Sequence, residues 1–299
     1  MSGVTFVWAA GIPDGLGERI ATTLLSWGEK VRIMSRHAEI LQSLRNRGAD
    51  VSVGNHRNIA DLAAALAGVD SVIVWIPFMP QERDVNQARL TFAQAACTAI
   101  RASSINAATL VSARSGQPVT YEYRSVFSAV EEQLAGSLAG RPLTILRVGL
   151  LFDSWCAHID AVRSGSPVFS GLSPHCRIDQ ITYSDLSALV SMVSMMPCRD
   201  YRRTVEVYGR ELKSVGEVVH SLSGAAQHRI AYVQLPHSVY ATHLMAKGYS
   251  FSASSALARA EVELHDQQHN PNHETCVCAL TTLAEFSCTT FTEKFKAGF

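Results

Sequence analysis

The sequence is poor in charged residues, and neither sign is in excess. Only 17% of its 299 residues are Asp, Glu, Lys or Arg, and 26 basic side chains balance 26 acidic ones. A neutral chain has no general attraction for nucleic acid or for an anionic lipid surface. No apolar run reaches the roughly 20 residues that a membrane-spanning helix needs. We therefore expect no nucleic-acid partner and no membrane partner, and the 47% apolar content predicts a folded chain with a large core.

The sequence also lacks the paired spacing of a disulfide or metal framework. Its seven cysteines are odd in number and include no C-x-x-C pair, which favours free thiols in a reducing compartment and a cytoplasmic location. Five residues of the two types that zinc accepts best lie near one another: His265, His269, His273, Cys276 and Cys278. Pro271 interrupts this set, and its two cysteines alternate as strand residues do. We expect a polar surface loop there and no metal.

A glycine-rich turn is the most informative feature that is present. An apolar run at 4–7 precedes it and an apolar helical pattern at 20–27 follows, so Gly11, Gly15 and Gly17 stand at a strand-to-helix junction. Such a turn brings backbone N–H groups against a pyrophosphate at the start of a helix. The spacing G-x-x-x-G-x-G predicts a dinucleotide site in this turn, which also contains Asp14 and Leu16.

The end of the next predicted strand, at 30–36, indicates which dinucleotide is bound. Ser35 and Arg36 stand where a site for NADH usually has a carboxylate that binds the ribose 2′-hydroxyl. A guanidinium suits a 2′-phosphate instead. We therefore expect NADPH/NADP⁺ as the cofactor, with a solvated arginine as the alternative interpretation.

Strand and helix patterns alternate over the first half of the chain. Strands are predicted at 4–7, 30–36, 50–55, 69–76, 108–112 and 143–147, with helices at 20–27, 38–44, 59–66, 85–102 and 123–139. Repeated βα units predict an α/β fold with a doubly wound parallel sheet, the Rossmann arrangement. We expect a cofactor domain at 1–150 and a smaller substrate lobe at 151–299 that is partly interleaved with the sheet. In that lobe we expect strands at 204–208 and 230–235 and helices at 212–222, 239–247 and 283–295.

The order of several segments resembles the NmrA-like branch of the atypical short-chain dehydrogenases/reductases. The matching parts are the glycine turn, Ser35 with Arg36, and segments 48–55, 62–74, 141–147, 207–212 and 281–286. The resemblance implies an NAD(P)H-binding Rossmann domain with a small C-terminal lobe. It does not fix the reaction, because relatives include reductases, non-redox enzymes and cofactor-sensing regulators.

Two departures from the family patterns matter. The glycine spacing is that of ordinary short-chain dehydrogenases, and Asp14 falls where NmrA-like chains have their middle glycine. Ordinary members also use Tyr-x-x-x-Lys, yet no lysine occurs between Lys30 and Lys213. The cation that lowers the tyrosine pKa in that pair is therefore absent, and a tyrosine here is expected to act as a neutral hydrogen-bond donor or with the help of another cation.

Several residues are candidates for the chemistry. Ser112 follows the fifth strand, Tyr121 and Tyr123 come shortly after it, and His158 follows the sixth strand with an expected near-neutral pKa. Asn55 is expected beside the adenine, and Ile76, Pro77 and Phe78 beside the nicotinamide. An apolar substrate wall is expected from Met79, Phe152 and Trp155. Each has a structural alternative, namely a turn or cap, amphipathic or core packing, or an exposed loop histidine.

The sequence thus predicts an NADPH-dependent oxidoreductase, a reductase of a small or medium apolar carbonyl, imine or activated alkene. Two other classes stay open. One is a non-redox isomerase or cyclase that retains NADP(H), and the other is an NADP(H)-sensing regulator that binds a protein partner. The expected partner is a small-molecule substrate, and assembly as a homodimer also stays open.

Overall fold

Strands of the chain form one large sheet and two small ones in the computed structural model, which describes residues 3–8, 15–114, 121–196, 200–262 and 276–297. In chain order they are β1 Val4–Val7, β2 Lys30–Ser35, β3 Asp50–Val53, β4 Ser71–Trp75, β5 Ala107–Ala113, β6 Leu143–Val148, β7 Leu150–Leu151, β8 Val168–Ser170, β9 Arg177–Ile181, β10 Arg202–Tyr208, β11 Leu212–Ser214, β12 Tyr232–Gln234 and β13 Cys276–Cys278. The large sheet has the order β13-β10-β6-β5-β4-β1-β2-β3. All its pairings are parallel.

The helices cover both faces of this sheet. They are α1 Leu16–Ser26, α2 Gln42–Asn46, α3 Ile59–Leu66, α4 Val85–Ala102, α5 Tyr121–Leu138, α6 Ile159–Arg163, α7 Tyr183–Met195, α8 Val215–Ala226, α9 His237–Ala246, α10 Phe251–Val262, α11 Leu283–Phe286 and α12 Thr292–Ala297. Short 3₁₀ turns occupy Ala38–Leu41 and Phe152–His158, and a π turn occupies Ser287–Phe291. The predicted α/β fold with a doubly wound parallel sheet is confirmed.

Alternate residues of each strand belong to two separate cores, as the period of two in a strand requires. Phe6, Val72 and Leu110 face one core, which α3, α4 and α5 complete. Val7, Ile73 and Val111 face the other core, which α1 and α7 complete. These central strands are apolar on both faces because both are covered by helices.

The second half of the chain builds a lobe around a third core. Phe152 and Trp155 pack there with side chains of α8 and with Phe286. The sheets β11-β9-β7 and β12-β8 belong to this part, and α9 packs on α10 through Tyr240 and Leu244. The same half also supplies β10 and β13 to the large sheet, where β10 pairs with β6. The division at residue 150 stays a prediction.

Some predicted element boundaries were wrong. The helix predicted at 212–222 begins only at Val215, because Ser214 and Glu217 form a reciprocal capping box and residues 212–214 pair with β9 as a strand. The helix predicted at 38–44 is a 3₁₀ turn followed by α2. The helix predicted at 283–295 contains the π turn.

Candidate active site

The crevice of this fold opens where the direction of strand order reverses. β1 lies between β2 and β4 in the sheet, and the chain leaves these strands toward opposite sides. Ligands of open α/β sheets bind outside the carboxyl ends of the strands at this point. The residues that follow β1, β2, β3 and β4 therefore line the candidate site.

The start of α1 is the part of the predicted glycine turn that the structure describes. Gly15 is the N-cap of α1 in an extended conformation, and no side chain caps it. Leu16 and Gly17 begin the helix and are buried. The first amide groups of this 11-residue helix have no intrahelical partner, which makes its start a ready anion site. Gly11 and Asp14 lie outside the described residues.

Ser35 and Arg36 end β2, and their environments differ. The Ser35 side chain is buried, and its Oγ accepts a hydrogen bond of 3.2 Å from the backbone N–H of His37. The Arg36 side chain is exposed. Ser35 therefore shapes the turn, while Arg36 is the group that is accessible to a ligand at the edge of the crevice.

His56 is a residue of this region that sequence reasoning missed. Its ring centroid lies 5.9 Å from that of Trp8 and 5.9 Å from that of Phe92. Burial, together with the nearby Arg36 guanidinium, lowers its pKa to about 4. Buried Nδ1 of His56 and buried Nε1 of Trp8 have no hydrogen-bond partner among the described residues. The sequence feature that could have identified His56 is its position directly after Asn55, at the end of the third predicted strand.

Asn55 organises the turn after β3. Its backbone N–H donates to Oδ2 of Asp61 at 2.8 Å, and its side-chain Oδ1 accepts from the backbone N–H of Arg57 at 3.0 Å. Such an Asx turn fixes the backbone locally. The Arg57 guanidinium pairs with Glu82 and lies 3.7 Å from Sδ of Met79, so the loops after β3 and β4 are joined.

The loop after β4 carries the residues predicted for the nicotinamide end. Ile76 is buried, Pro77 is half-buried, and Phe78 is exposed. The Phe78 ring lies 6.0 Å from the Tyr249 ring and 5.3 Å from the Arg89 guanidinium.

The lobe covers this same loop. The backbone N–H of Ser250 donates to the Pro80 carbonyl at 2.7 Å, and the backbone N–H of Val85 donates to Oγ of Ser252 at 3.2 Å. The connection between α9 and α10 is therefore fixed against the end of the crevice that Phe78 borders.

Ser112 belongs to a buried ion network. Its hydroxyl donates to Oε1 of Glu131 at 2.7 Å, and Oε2 of Glu131 lies 2.7 Å from Nη2 of Arg147. The hydrogen bond with Glu131 raises the pKa of Arg147. Arg202 lies 3.5 Å from the same carboxylate. Since the Ser112 proton is already engaged, the hydroxyl can donate to a ligand only if this bond breaks, whereas its oxygen can still accept a hydrogen bond. A catalytic role stays a prediction.

The other catalytic candidates are not brought together with Ser112 by any described contact. Tyr121 and Tyr123 lie in the first turn of α5, but their side chains are outside the described part. His158 ends a 3₁₀ turn in the lobe, 6.1 Å from the Trp155 ring. Burial and the cation of Lys247 lower the pKa of His158 to about 4, which differs from the near-neutral value expected. The imidazole is therefore neutral at pH 7.

Two of the three predicted wall residues pack inside the lobe. The Phe152 ring stacks on Phe286 at 5.0 Å, and Nε1 of Trp155 donates to Oε1 of Gln180 at 3.2 Å. Met79 packs instead against the core of the large sheet. A substrate contact by these residues stays a prediction.

Arg114 is a second residue that sequence reasoning missed. It directly follows β5, is buried, and pairs bidentately with buried Asp179. The guanidinium also donates to the Val207 carbonyl at 3.0 Å and lies 4.3 Å from the Tyr208 ring. Gly149 leaves the necessary space, since a Cβ there would lie 2.7 Å from Nη2 of Arg114. This pair fixes the carboxyl ends of β5 and β10 against β9.

Comparison with known proteins gives the family. Residues 14–154 match the model of the family described as NAD(P)H-binding. These residues, just under half of the chain, are an NAD(P)H-binding domain, which agrees with the resemblance to the NmrA-like atypical short-chain dehydrogenases/reductases. The predicted NAD(P)H cofactor is thereby confirmed. The uncapped start of α1, the exposed Arg36 and the unpartnered nitrogens after β1 and β3 fit such a group.

Similar proteins agree with this family. An NAD(P)H azoreductase of Xenophilus azovorans is 23% identical over 222 residues, which are 74% of this chain and 73% of that protein. A triphenylmethane reductase of Citrobacter sp. with NADP(H) has a TM-score of 0.77 at 15% identity, covering 96% of this chain and 99% of that one. An NADPH-dependent quinone oxidoreductase of Escherichia coli has a TM-score of 0.73 at 19% identity, covering 96% and 99%. At these identities the two structures show the shared fold.

Neither a membrane helix nor a metal cluster is found in the described ranges. No helix there is long and apolar enough to cross a membrane. No three His, Cys, Asp or Glu side chains of those residues are grouped to hold a metal ion. His265, His269 and His273 lie outside the described residues, whereas Cys276 and Cys278 belong to β13.

Proposed function

We propose that the chain is an NADPH-dependent reductase of a small or medium organic substrate with an apolar, conjugated carbonyl, imine or alkene. The observation that carries the cofactor preference is the exposed Arg36 at the end of β2, where no carboxylate occurs. A guanidinium at this position favours a 2′-phosphate, which NADH lacks.

Each part of the dinucleotide has residues to receive it. The pyrophosphate is assigned to the start of α1 with the glycine turn, and the 2′-phosphate to Arg36. Asn55 and His56 border the adenosine, and Pro77 and Phe78 border the nicotinamide. When bound, NADPH supplies a hydride.

The absence of the Tyr-x-x-x-Lys lysine shapes the choice of substrate. Lys213, the next lysine after Lys30, lies in β11 and pairs with Glu211 at 3.6 Å. Without a cation-assisted tyrosine, little proton transfer is available to a simple ketone in the transition state. A conjugated acceptor spreads the developing negative charge over its own π-system and needs less help from the protein. The azoreductase, triphenylmethane reductase and quinone oxidoreductase among the similar proteins support this class.

The proton donor is assigned to solvent or to a neutral hydroxyl. Tyr121 and Tyr123 remain the proposed hydrogen-bond donors, and Ser112 and His158 are weaker candidates because of the bond to Glu131 and the lowered pKa. No disulfide joins the cysteines of the described ranges, which supports the cytoplasm as the location of the protein.

The missing lysine also favours one second candidate, a non-redox isomerase or cyclase that retains NADP(H). Turnover separates the two. Purified chain is incubated with NADPH or NADH and with a panel of quinones, triphenylmethane cations and azo compounds, and cofactor oxidation is followed by the loss of nicotinamide absorbance. We expect oxidation with NADPH for at least one conjugated acceptor. Binding of NADPH without oxidation by any acceptor would contradict the reductase.

A further inference from the structure

A cavity in the lobe is separate from the residues assigned to the cofactor. It is wide open to the surface, and its volume is about 530 Å³. Phe169 of β8 and Leu235 form one wall, and Val239, Thr242, His243 and Ala246 of α9 form the other. These α9 positions recur at helical spacing, so they share one face of the helix.

The ring system at this cavity suits a planar apolar group. The centroid of Phe169 lies 4.9 Å from that of His243, and the Tyr240 ring stacks on His243 at 6.4 Å. Phe169, Leu235 and Val239 supply apolar surface beside them. Aromatic pairs at such distances favour offset or edge contacts with a further ring.

The charged groups beside the cavity are of one sign. Lys247 lies one helical turn after His243, and its positive charge is close enough to lower the pKa of both His243 and His158. No carboxylate lies within 4 Å of Lys247 in the part of the chain that the structure describes. Buried nitrogens of the two imidazoles, Nε2 of His243 and Nδ1 of His158, also lack a hydrogen-bond partner among the described residues. A neutral imidazole has one N–H to donate, and either tautomer can form.

The carboxylate of Glu261 does not neutralise the Lys247 ammonium or accept a hydrogen bond from either imidazole. It is buried between α10 and β8, where it accepts hydrogen bonds from Oγ of Ser170 at 2.7 Å, the backbone N–H of Gly171 at 2.8 Å and the hydroxyl of Tyr240 at 3.0 Å. Its acceptor capacity is therefore used within the lobe. An ammonium and two unpartnered imidazoles without a facing carboxylate leave a place for an external anion.

We propose that this cavity binds a small aromatic acid. The ring lies against Phe169 and the apolar side chains of α9, and the carboxylate or sulfonate faces His243 and Lys247. The site does not depend on the proposed reductase activity, because none of the residues that line the cavity belongs to the assigned cofactor site or to the proposed proton donors.

A matched pair of fluorescent probes tests the proposal on the whole chain with saturating NADP⁺, which occupies the anion site at the start of α1. The anionic probe is 1-anilinonaphthalene-8-sulfonate, and the neutral one is N-phenyl-1-naphthylamine, which has the same ring system without the sulfonate. We expect one binding site, with the anionic probe bound about fivefold more tightly, because one partly exposed ion pair contributes up to about that factor.

Two variants locate the site. The exposed Lys247→Met change should remove the anion preference by weakening the sulfonate probe about fivefold, with the neutral probe unaffected, and Lys296→Met on α12 is the matched control without effect. Ala246→Trp, also at an exposed position, should fill the cavity and weaken both probes at least tenfold. Equal affinity for the two probes, an unchanged preference in Lys247→Met, or unchanged binding in Ala246→Trp overturns the proposal.

Discussion

At the scale of single residues, the proposed preference for NADPH rests on one side chain, Arg36. Arg36 was identified from the sequence because an arginine at the end of the second strand has a direct chemical meaning, and the structure leaves it exposed there. His56 was not, because a histidine after a strand has no such meaning until Trp8 and Phe92 are known to surround it. A local sequence pattern can reveal a charge at the end of a strand. It cannot reveal a contact between segments that are distant in the sequence.

Arg36→Ala should weaken NADPH selectively. Loss of a guanidinium from a 2′-phosphate removes a charge-assisted contact of about 1.5–3 kcal/mol, or a factor of roughly 10 to 100 in affinity. NADH has no such phosphate, so its dissociation constant should change less than twofold. Titration of the intrinsic or nicotinamide fluorescence measures both constants. Arg47→Ala, at another exposed arginine of the same half, is the control, and an equal loss for both cofactors would show that Arg36 does not read the phosphate.

Buried ionic residues set the shape of the active-site end of the sheet. Asp179→Ala leaves the buried Arg114 guanidinium without its bidentate partner and removes the acceptor of the Gly209 backbone N–H. Breaking a buried pair in this way costs about 3–5 kcal/mol. Urea denaturation followed by circular dichroism should show a loss of that size in the free energy of unfolding.

The control for this prediction is an ion pair on the surface. Asp50 pairs with Arg32 at 2.6 Å, but the Asp50 side chain is 58% exposed. Asp50→Ala should therefore change the free energy of unfolding by less than about 1 kcal/mol. Similar losses in the two variants would mean that the buried Arg114–Asp179 pair contributes no more to the free energy of unfolding than an exposed pair does.

At the scale of elements, the sequence predicted the central strands well and the lobe poorly. The predicted strand at 69–76 is continuously apolar from Val72 onward, and it contains β4 between two helical layers. α7 was not predicted, because its buried face carries Ser187, Ser191 and Ser194 among the apolar residues. The hydroxyls of Ser187 and Ser194 donate to backbone carbonyls three residues earlier, so their hydrogen bonds are made within the helix. These buried serines interrupt the apolar periodicity by which a helix is predicted.

Helix α5 contains a glycine that no contact requires. Gly136 lies on the exposed side of α5, and a Cβ there would meet no atom within 4 Å. Gly136→Ala should therefore raise the free energy of unfolding by about 0.5–1 kcal/mol, measured by urea denaturation, because alanine loses less backbone entropy in a helix. Gly68→Ala is the opposite case, since Gly68 has a φ of +71°, and should lower it. A loss of stability in Gly136→Ala would contradict this prediction, because it would mean that the added Cβ meets a neighbouring atom in the folded chain.

For the whole molecule, two buried histidines couple stability to pH. The pKa of His56 and that of His158 are each lowered to about 4 from the ordinary 6.5, mainly by burial. Between these values the unfolded chain binds more protons than the folded one. The free energy of unfolding should therefore be highest near neutral pH and fall as the pH drops from about 6.5 toward 4, by about 1–3 kcal/mol for each histidine.

The carboxyl groups of Glu206 and Glu261 act in the opposite direction, because burial raises their pKa and the folded state then binds protons first. The test is accordingly a difference between variants. Urea denaturation at pH 7.5 and pH 4.5 should show a smaller loss for His56→Asn with His158→Asn than for the unaltered chain. His175→Asn, at an exposed site, should leave the loss unchanged. An identical loss in the double variant would mean that burial does not lower the pKa of either imidazole in the folded chain.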